Sequence, residues 1–247
     1  MQTGLSYVLE PNRLRYDLFQ PKTAGPHPLI VCCHGGGWIT GGKEDLHPVA
    51  NEFTKLGYAA VCVDYRLAPL HPFPAAVEDL EAFMHHFREN AKELNILPDR
   101  IASFGSSAGG HLAAMLATTS DPKARVKACV NLCGLMDITE PLTRHFPISW
   151  SFISQFMGDE PYEGNEAKYR AASPLYHVTK DSAPMLIFHG EDDEVVPIQQ
   201  SIDMVAAYGA VGVPCRFISL PKEGHGFTME AWPTVLSATE KFLSEYL

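Results

Sequence analysis

The sequence predicts an α/β fold: a mostly parallel central sheet with helices on both faces. Two patterns carry that expectation. Short apolar runs recur at 28–34 (PLIVCCH), 58–65 (YAAVCVDY), 100–105 (RIASFG), 127–134 (KACVNLCG), 184–190 (PMLIFHG) and 215–221 (CRFISLP), and longer stretches of helical character separate them. Within each run the hydrophobicity is continuous rather than alternating, which marks strands covered on both faces. A chain of 247 residues that is 46% hydrophobic can bury one substantial core, so a single domain over 1–247 is expected.

At the N-terminus SYVLE (6–10) and LRYDLF (14–19), joined through PNR, read instead as an antiparallel hairpin at the sheet edge. Helices are expected at 46–56, 73–94, 108–119, 198–208 and 231–246. In the second of these, PFPAAVED sets proline near the helix start and acids in its first turns, where a missing amide and negative charge are both tolerated. His85 and His86 fall on the predicted surface of that helix and suggest no metal site. Segment 137–180 breaks the alternation. Its uncharged, aromatic ISWSFISQFMG suits a small cap or lid over a site, the plainer reading being a helix pair that simply packs.

Composition excludes several roles. With 19 basic against 29 acidic residues the formal charge is −10, which repels nucleic acid and anionic membranes alike. No run approaches the roughly 18 apolar residues that span a bilayer, and the N-terminus lacks signal-peptide character, so a cytoplasmic location is expected. The six cysteines (32, 33, 62, 129, 133 and 215) lie in or beside apolar runs without paired metal-type spacing, as reduced core thiols do.

The candidate chemistry starts at FGSSAGGHLAA. Gly105-Ser106-Ser107-Ala108-Gly109 has the form G-x-S-x-G between a predicted strand and a predicted helix, the context in which a serine is held on a sharp turn with its hydroxyl exposed. The pattern alone also fits a hinge or ordinary loop. A serine hydroxyl needs a base, and two downstream loops supply partners. His225 sits between glycines after the last predicted strand, and Asp193 lies in the acidic loop of HGEDDEVVP after the strand before it. The order Ser, Asp, His matches hydrolases with a nucleophile elbow. Upstream, HGGGW follows a strand, and its glycines leave backbone amides open, so Gly36 and Gly37 with Ala108 are candidate donors to an oxyanion. A phosphate loop is excluded because Lys43 is followed by Glu44 rather than by serine or threonine.

Taken together, HGGGW, DYRLAPLHPFPAAVEDL, PDRIASFGSSAGGHLAA, HGEDDEVVP and GHGF resemble the hormone-sensitive-lipase-like branch of the α/β-hydrolases and its small carbohydrate acetyl esterases. The resemblance implies a serine esterase of the α/β-hydrolase fold with Ser107 as nucleophile, His225 as general base and acid, and Asp193, rather than Asp192, as the orienting carboxylate. It implies no metal or organic cofactor and a small-molecule ester substrate such as an acetylated carbohydrate, and leaves homo-oligomerisation open. His34 would organise the oxyanion loop, His111 would be structural, and Trp38, Trp150 and Phe227 are candidate substrate contacts or core aromatics. Lipase-like relatives carry an N-terminal helical cap, whereas Leu5 is here expected to begin the edge hairpin, so the cap is expected to be small or to come from 137–180, and the compact acetyl-esterase type is favoured. An arylformamidase-like amidase or a peptidase would use the same residues. A non-catalytic receptor on this scaffold would be favoured by loss of serine or histidine, and both are present.

Overall fold

The computed structural model describes residues 5–11 and 13–247. Strands β1 (Leu5–Leu9), β2 (Leu14–Phe19), β3 (His27–Cys33), β4 (Ala59–Val63), β5 (Ile96–Ser106), β6 (Ala128–Leu132), β7 (Met185–Gly190) and β8 (Cys215–Leu220) form one sheet in the order 1-2-4-3-5-6-7-8. β1 and β2 are the expected antiparallel hairpin, β2 is also antiparallel to β4, and the remaining neighbours are parallel. All six apolar runs lie in these strands.

Alternation along β3 explains the continuous hydrophobicity. Leu29, Val31 and Cys33 join one apolar cluster, while Ile30 and Cys32 join another on the opposite face. Helices α1 (His47–Lys55) and α8 (Trp232–Tyr246) cover the second face. The first is covered by α2 (Ala75–Glu89), α3 (Ala108–Thr118) and α7 (Gln199–Val211). Between β6 and α7 the chain forms α4 (Pro141–Arg144), α5 (Pro147–Phe156) and α6 (Glu166–Ala171), and from these Ile153, Phe156 and Tyr169 also join the first cluster. Among the described residues no helix is long and apolar enough to cross a membrane. All six cysteines carry free thiols, five of them buried.

Two expectations need correction. The second helix was expected to reach residue 94 but ends at Glu89: Asn90 leaves the helical conformation with φ −104° and ψ 18°, its side-chain amide joining its backbone amide on the His86 carbonyl. His86 is not a free surface residue either. It is half-buried, with Nε2 2.9 Å from the Tyr16 hydroxyl.

A buried ion pair fixes the loop after β4 to α2. Asp79, fully buried, accepts from the Arg66 backbone amide at 2.8 Å and from Arg66 Nε at 2.8 and 2.9 Å. The same loop supports the glycine loop that follows β3, since the Tyr65 hydroxyl donates to the His34 carbonyl and the Ala68 amide to the Trp38 carbonyl, each at 2.9 Å. Asp79→Ala leaves Arg66 Nε and the Arg66 amide without their acceptor, while Nη2 keeps the Ala75 carbonyl and Glu78. It should lower the unfolding free energy by about 3 kcal/mol, read from urea denaturation at neutral pH.

Candidate active site

Ser107 stands between β5 and α3 with φ 55° and ψ −124°, a backbone conformation that few non-glycine residues adopt. The flanking glycines explain why the turn closes. A Cβ on Gly105 would lie 2.2 Å from the Gly109 carbonyl oxygen, and one on Gly109 would lie 2.0 Å from that of Cys33. Only glycine permits the start of α3 to press so closely on the end of β3.

The serine hydroxyl is 2.8 Å from His225 Nε2, and His225 Nδ1 is 2.9 Å from Asp193 Oδ2. Asp193 Oδ1 accepts the amides of Val195 and Val196, each at 2.8 Å. Burial of the Asp193 carboxyl opposes ionisation, but hydrogen bonds from His189, His225 and the Val196 amide outweigh it and hold the group well below the usual carboxylate range. It therefore stays ionised at neutral pH. Asp192, its neighbour, is exposed.

The glycine loop lies against this serine: a Cβ on Gly35 would be 3.7 Å from Ser107 Cβ. His34 Nδ1 donates to the Gly35 carbonyl at 2.8 Å and its ring stacks on Tyr65 with centroids 4.2 Å apart, so the loop is braced from within. Among the described residues no protein acceptor takes the amides of Gly36, Gly37 or Ala108. Phe152 of α5 packs directly over Gly37.

A cavity of about 580 Å³ opens between α1 and α8, lined by Gly35, Ser106, Leu132, His225, Phe227 and Trp232 among others. Phe227 thus shares a cavity with His225. Trp38 does not: it is 1% exposed, stacked on Phe156 at 4.3 Å, and donates from Nε1 to His111 Nδ1 at 3.2 Å. Positive φ at Trp38 turns the loop back towards the core, which sequence position alone does not report. Trp150 is 40% exposed and lines a separate groove of about 390 Å³ on the 137–180 segment, with Leu142 and Tyr162.

Among the described residues, Cys133, Asp193 and His225 form the one group of His, Cys, Asp or Glu ligand atoms close enough together to suit a metal. The donor set fits poorly, because Asp193 and His225 are engaged with each other and burial drives the Cys133 thiol up, against thiolate formation. Residues that sequence reasoning passed over include His189, whose Nε2 is 3.2 Å from Asp193 Oδ2, and Tyr65 beneath the glycine loop. His189 opens HGEDDEVVP, yet nothing in that string tells an inward histidine from an outward one.

His111 donates from Nε2 to the Ala172 carbonyl at 2.7 Å and accepts from Trp38, joining α3, the glycine loop and the 137–180 segment. Burial pushes its imidazole down to about 4. Because the unfolded chain binds this proton first, stability falls as pH drops from the ordinary histidine value towards 4, by about 3 kcal/mol from this group. Urea midpoints at pH 7 and pH 4 should show a smaller acid-side loss for His111→Gln than for the wild type.

A family model described as BD-FAE matches residues 16–208. The probable carboxylic ester hydrolase LipM of Mycobacterium tuberculosis is 30% identical over 90% of this chain and 55% of its own length. Esterase LipQ of the same organism is 30% identical over 83% of this chain and 51% of its own. The chain therefore spans about half the length of these relatives. Among solved structures, Thermogutta terrifontis esterase 2 phosphonylated by sarin superposes with a TM-score of 0.86 at 26% identity, over 99% of this chain and 95% of that one. The propionate-bound form of that esterase gives 0.82 at 25% identity, over 98% and 94%.

Proposed function

Since the chain belongs to the BD-FAE family of α/β-hydrolases, we propose that it is a serine carboxylic-ester hydrolase acting on short acyl esters through Ser107, His225 and Asp193. The observation that carries this reading is the unbroken relay from Ser107 Oγ to His225 at 2.8 Å and on to Asp193 at 2.9 Å. The phosphonylation of Thermogutta esterase 2 by sarin and its binding of propionate support it by likeness.

In the first half-reaction His225 Nε2 takes the Ser107 proton as Oγ attacks the ester carbonyl carbon. Asp193 keeps the Nδ1 proton in place and stabilises the imidazolium without accepting that proton. Charge moves onto the carbonyl oxygen, for which the amides of Gly36, Gly37 and Ala108 are the available donors, aided by the positive N-terminal end of α3. As the tetrahedral intermediate collapses, the C–O bond to the alcohol breaks and His225 gives its proton to the leaving oxygen. A water then repeats the sequence on the acyl-serine: His225 removes its proton, the carboxylic acid leaves, and Ser107 recovers its hydrogen. A small acetylated carbohydrate remains the substrate type to test first.

Ser107→Ala should abolish labelling by a fluorophosphonate probe and lower kcat by about 10⁴-fold or more, with the melting temperature unchanged within a few degrees. Labelling at another residue, or unchanged turnover, would overturn the assignment. Across p-nitrophenyl esters, kcat/KM should peak between acetyl and butyryl. A steady rise to decanoyl would defeat the short-acyl reading, and preference for N-formylkynurenine over every ester would make the protein an amidase.

A further inference from the structure

We propose that His189 is a positioning residue for this site, tying the Asp193 carboxylate to the sheet so that the relay is held by β7 and α7 rather than by the loop that carries it. The proposal rests on the reading of Ser107, His225 and Asp193 as the working groups. His189 is the next-to-last residue of β7 and is fully buried. Its Nε2 lies 2.9 Å from the Val196 carbonyl oxygen and 3.2 Å from Asp193 Oδ2, while Nδ1 lies 2.7 Å from the Ser201 hydroxyl on α7.

The tautomer follows from these partners. Both neighbours of Nε2 are acceptors, one of them a carbonyl that has no proton to give, so Nε2 carries the hydrogen, bonded to the Val196 carbonyl with Asp193 Oδ2 also within reach at 3.2 Å. Nδ1 is then free to accept from Ser201. Asp193 consequently receives four donors: two loop amides on Oδ1, and His225 and His189 on Oδ2. Of these, the amides move with the loop and His225 moves with its own loop after β8. His189 alone reaches the carboxylate from within a strand, and Ser201 fixes its ring from a helix.

This arrangement acts through orientation. A carboxylate free to rotate about χ2 presents Oδ2 to His225 for only part of the time, and a misplaced imidazole lowers turnover without weakening substrate binding.

The test compares wild type with His189→Phe, which keeps a ring but no polar atoms, and with His189→Gln, whose amide places an N–H near the Nε2 position. With a short p-nitrophenyl ester, His189→Phe should lower kcat about 10- to 100-fold, change KM by less than about 3-fold, and displace the acidic limb of the kcat/KM profile. His189→Gln should recover kcat to within a few-fold and restore the limb. Unchanged kcat and pH profile in His189→Phe, or a glutamine variant no better than phenylalanine, would overturn the proposal. If His189→Phe fails to fold, Ser201→Ala serves instead: it removes the partner of Nδ1, and a few-fold loss of kcat with a displaced acidic limb is expected, while an unaltered profile overturns the idea. Ser107→Ala is measured alongside. Turnover retained there would refute the hydrolase reading itself, whereas its loss with wild-type behaviour in the His189 variants would refute only the positioning role.

Discussion

The structure depends on one close approach, that of the first turn of α3 to the end of β3. The Cys33 carbonyl lies where a side chain on Gly109 would begin, and the Gly109 carbonyl lies where one on Gly105 would begin. With the helix pressed this far into the sheet, the residue joining strand to helix has no room for an ordinary conformation, and Ser107 takes φ 55°. Such a backbone costs on the order of 1–3 kcal/mol. Complete burial of α3 offsets it, because all eleven of its residues are buried, among them Leu112, Met115 and Leu116. The strained turn is thus held by a helix that has nowhere else to go.

Parallel strands then do the gathering. Residues 107, 193 and 225 follow β5, β7 and β8, whose C-terminal ends share one edge of the sheet, so three positions far apart in the chain come within hydrogen-bond reach of each other. A sheet of this kind places loops, not strand faces, around a ligand. Loops alone are too mobile for the geometry, and each one here is tied back. The His225 carbonyl lies 3.4 Å from the Cys133 sulfur, the Ser149 hydroxyl donates to the Val195 carbonyl, and Tyr65 holds the glycine loop from below.

The architecture was legible because its signals are local. Apolar runs without alternation, two short strand-like runs joined through PNR, and G-x-S-x-G at a strand-to-helix junction each follow from the environment of a few neighbouring residues. The positions of Ser107, Asp193 and His225 were legible through chain order. Other features depend on contacts that no short window contains. Trp38 points inward only because Phe156 and His111, more than seventy residues away, form its slot. His86 is half-buried because the hairpin brings Tyr16 over it. The end of α2 was hidden for a different reason: Asn90 leaves the helical conformation although Ala91, Lys92, Glu93 and Leu94 after it each favour a helix.

The 137–180 segment shows how a stretch that breaks the sequence pattern becomes part of the core. Phe156 stacks on Trp38 and meets His111 edge-on, while His111 donates to the Ala172 carbonyl, so one joint unites α5, the glycine loop and the helix that follows the serine. Moving α5 outward would expose Ile153, Phe156 and Met157, all buried, at about 1.5–3 kcal/mol for each side chain. It would also lift Phe152 from Gly37. The segment is therefore coupled to the glycine loop, and a substitution within this aromatic joint acts on that loop before it acts on any ligand. Exposed Trp150, two residues from Phe152 on the same short helix, has no such coupling through its ring. Which aromatic shapes the site and which supports it is decided by the face of α5 that each occupies.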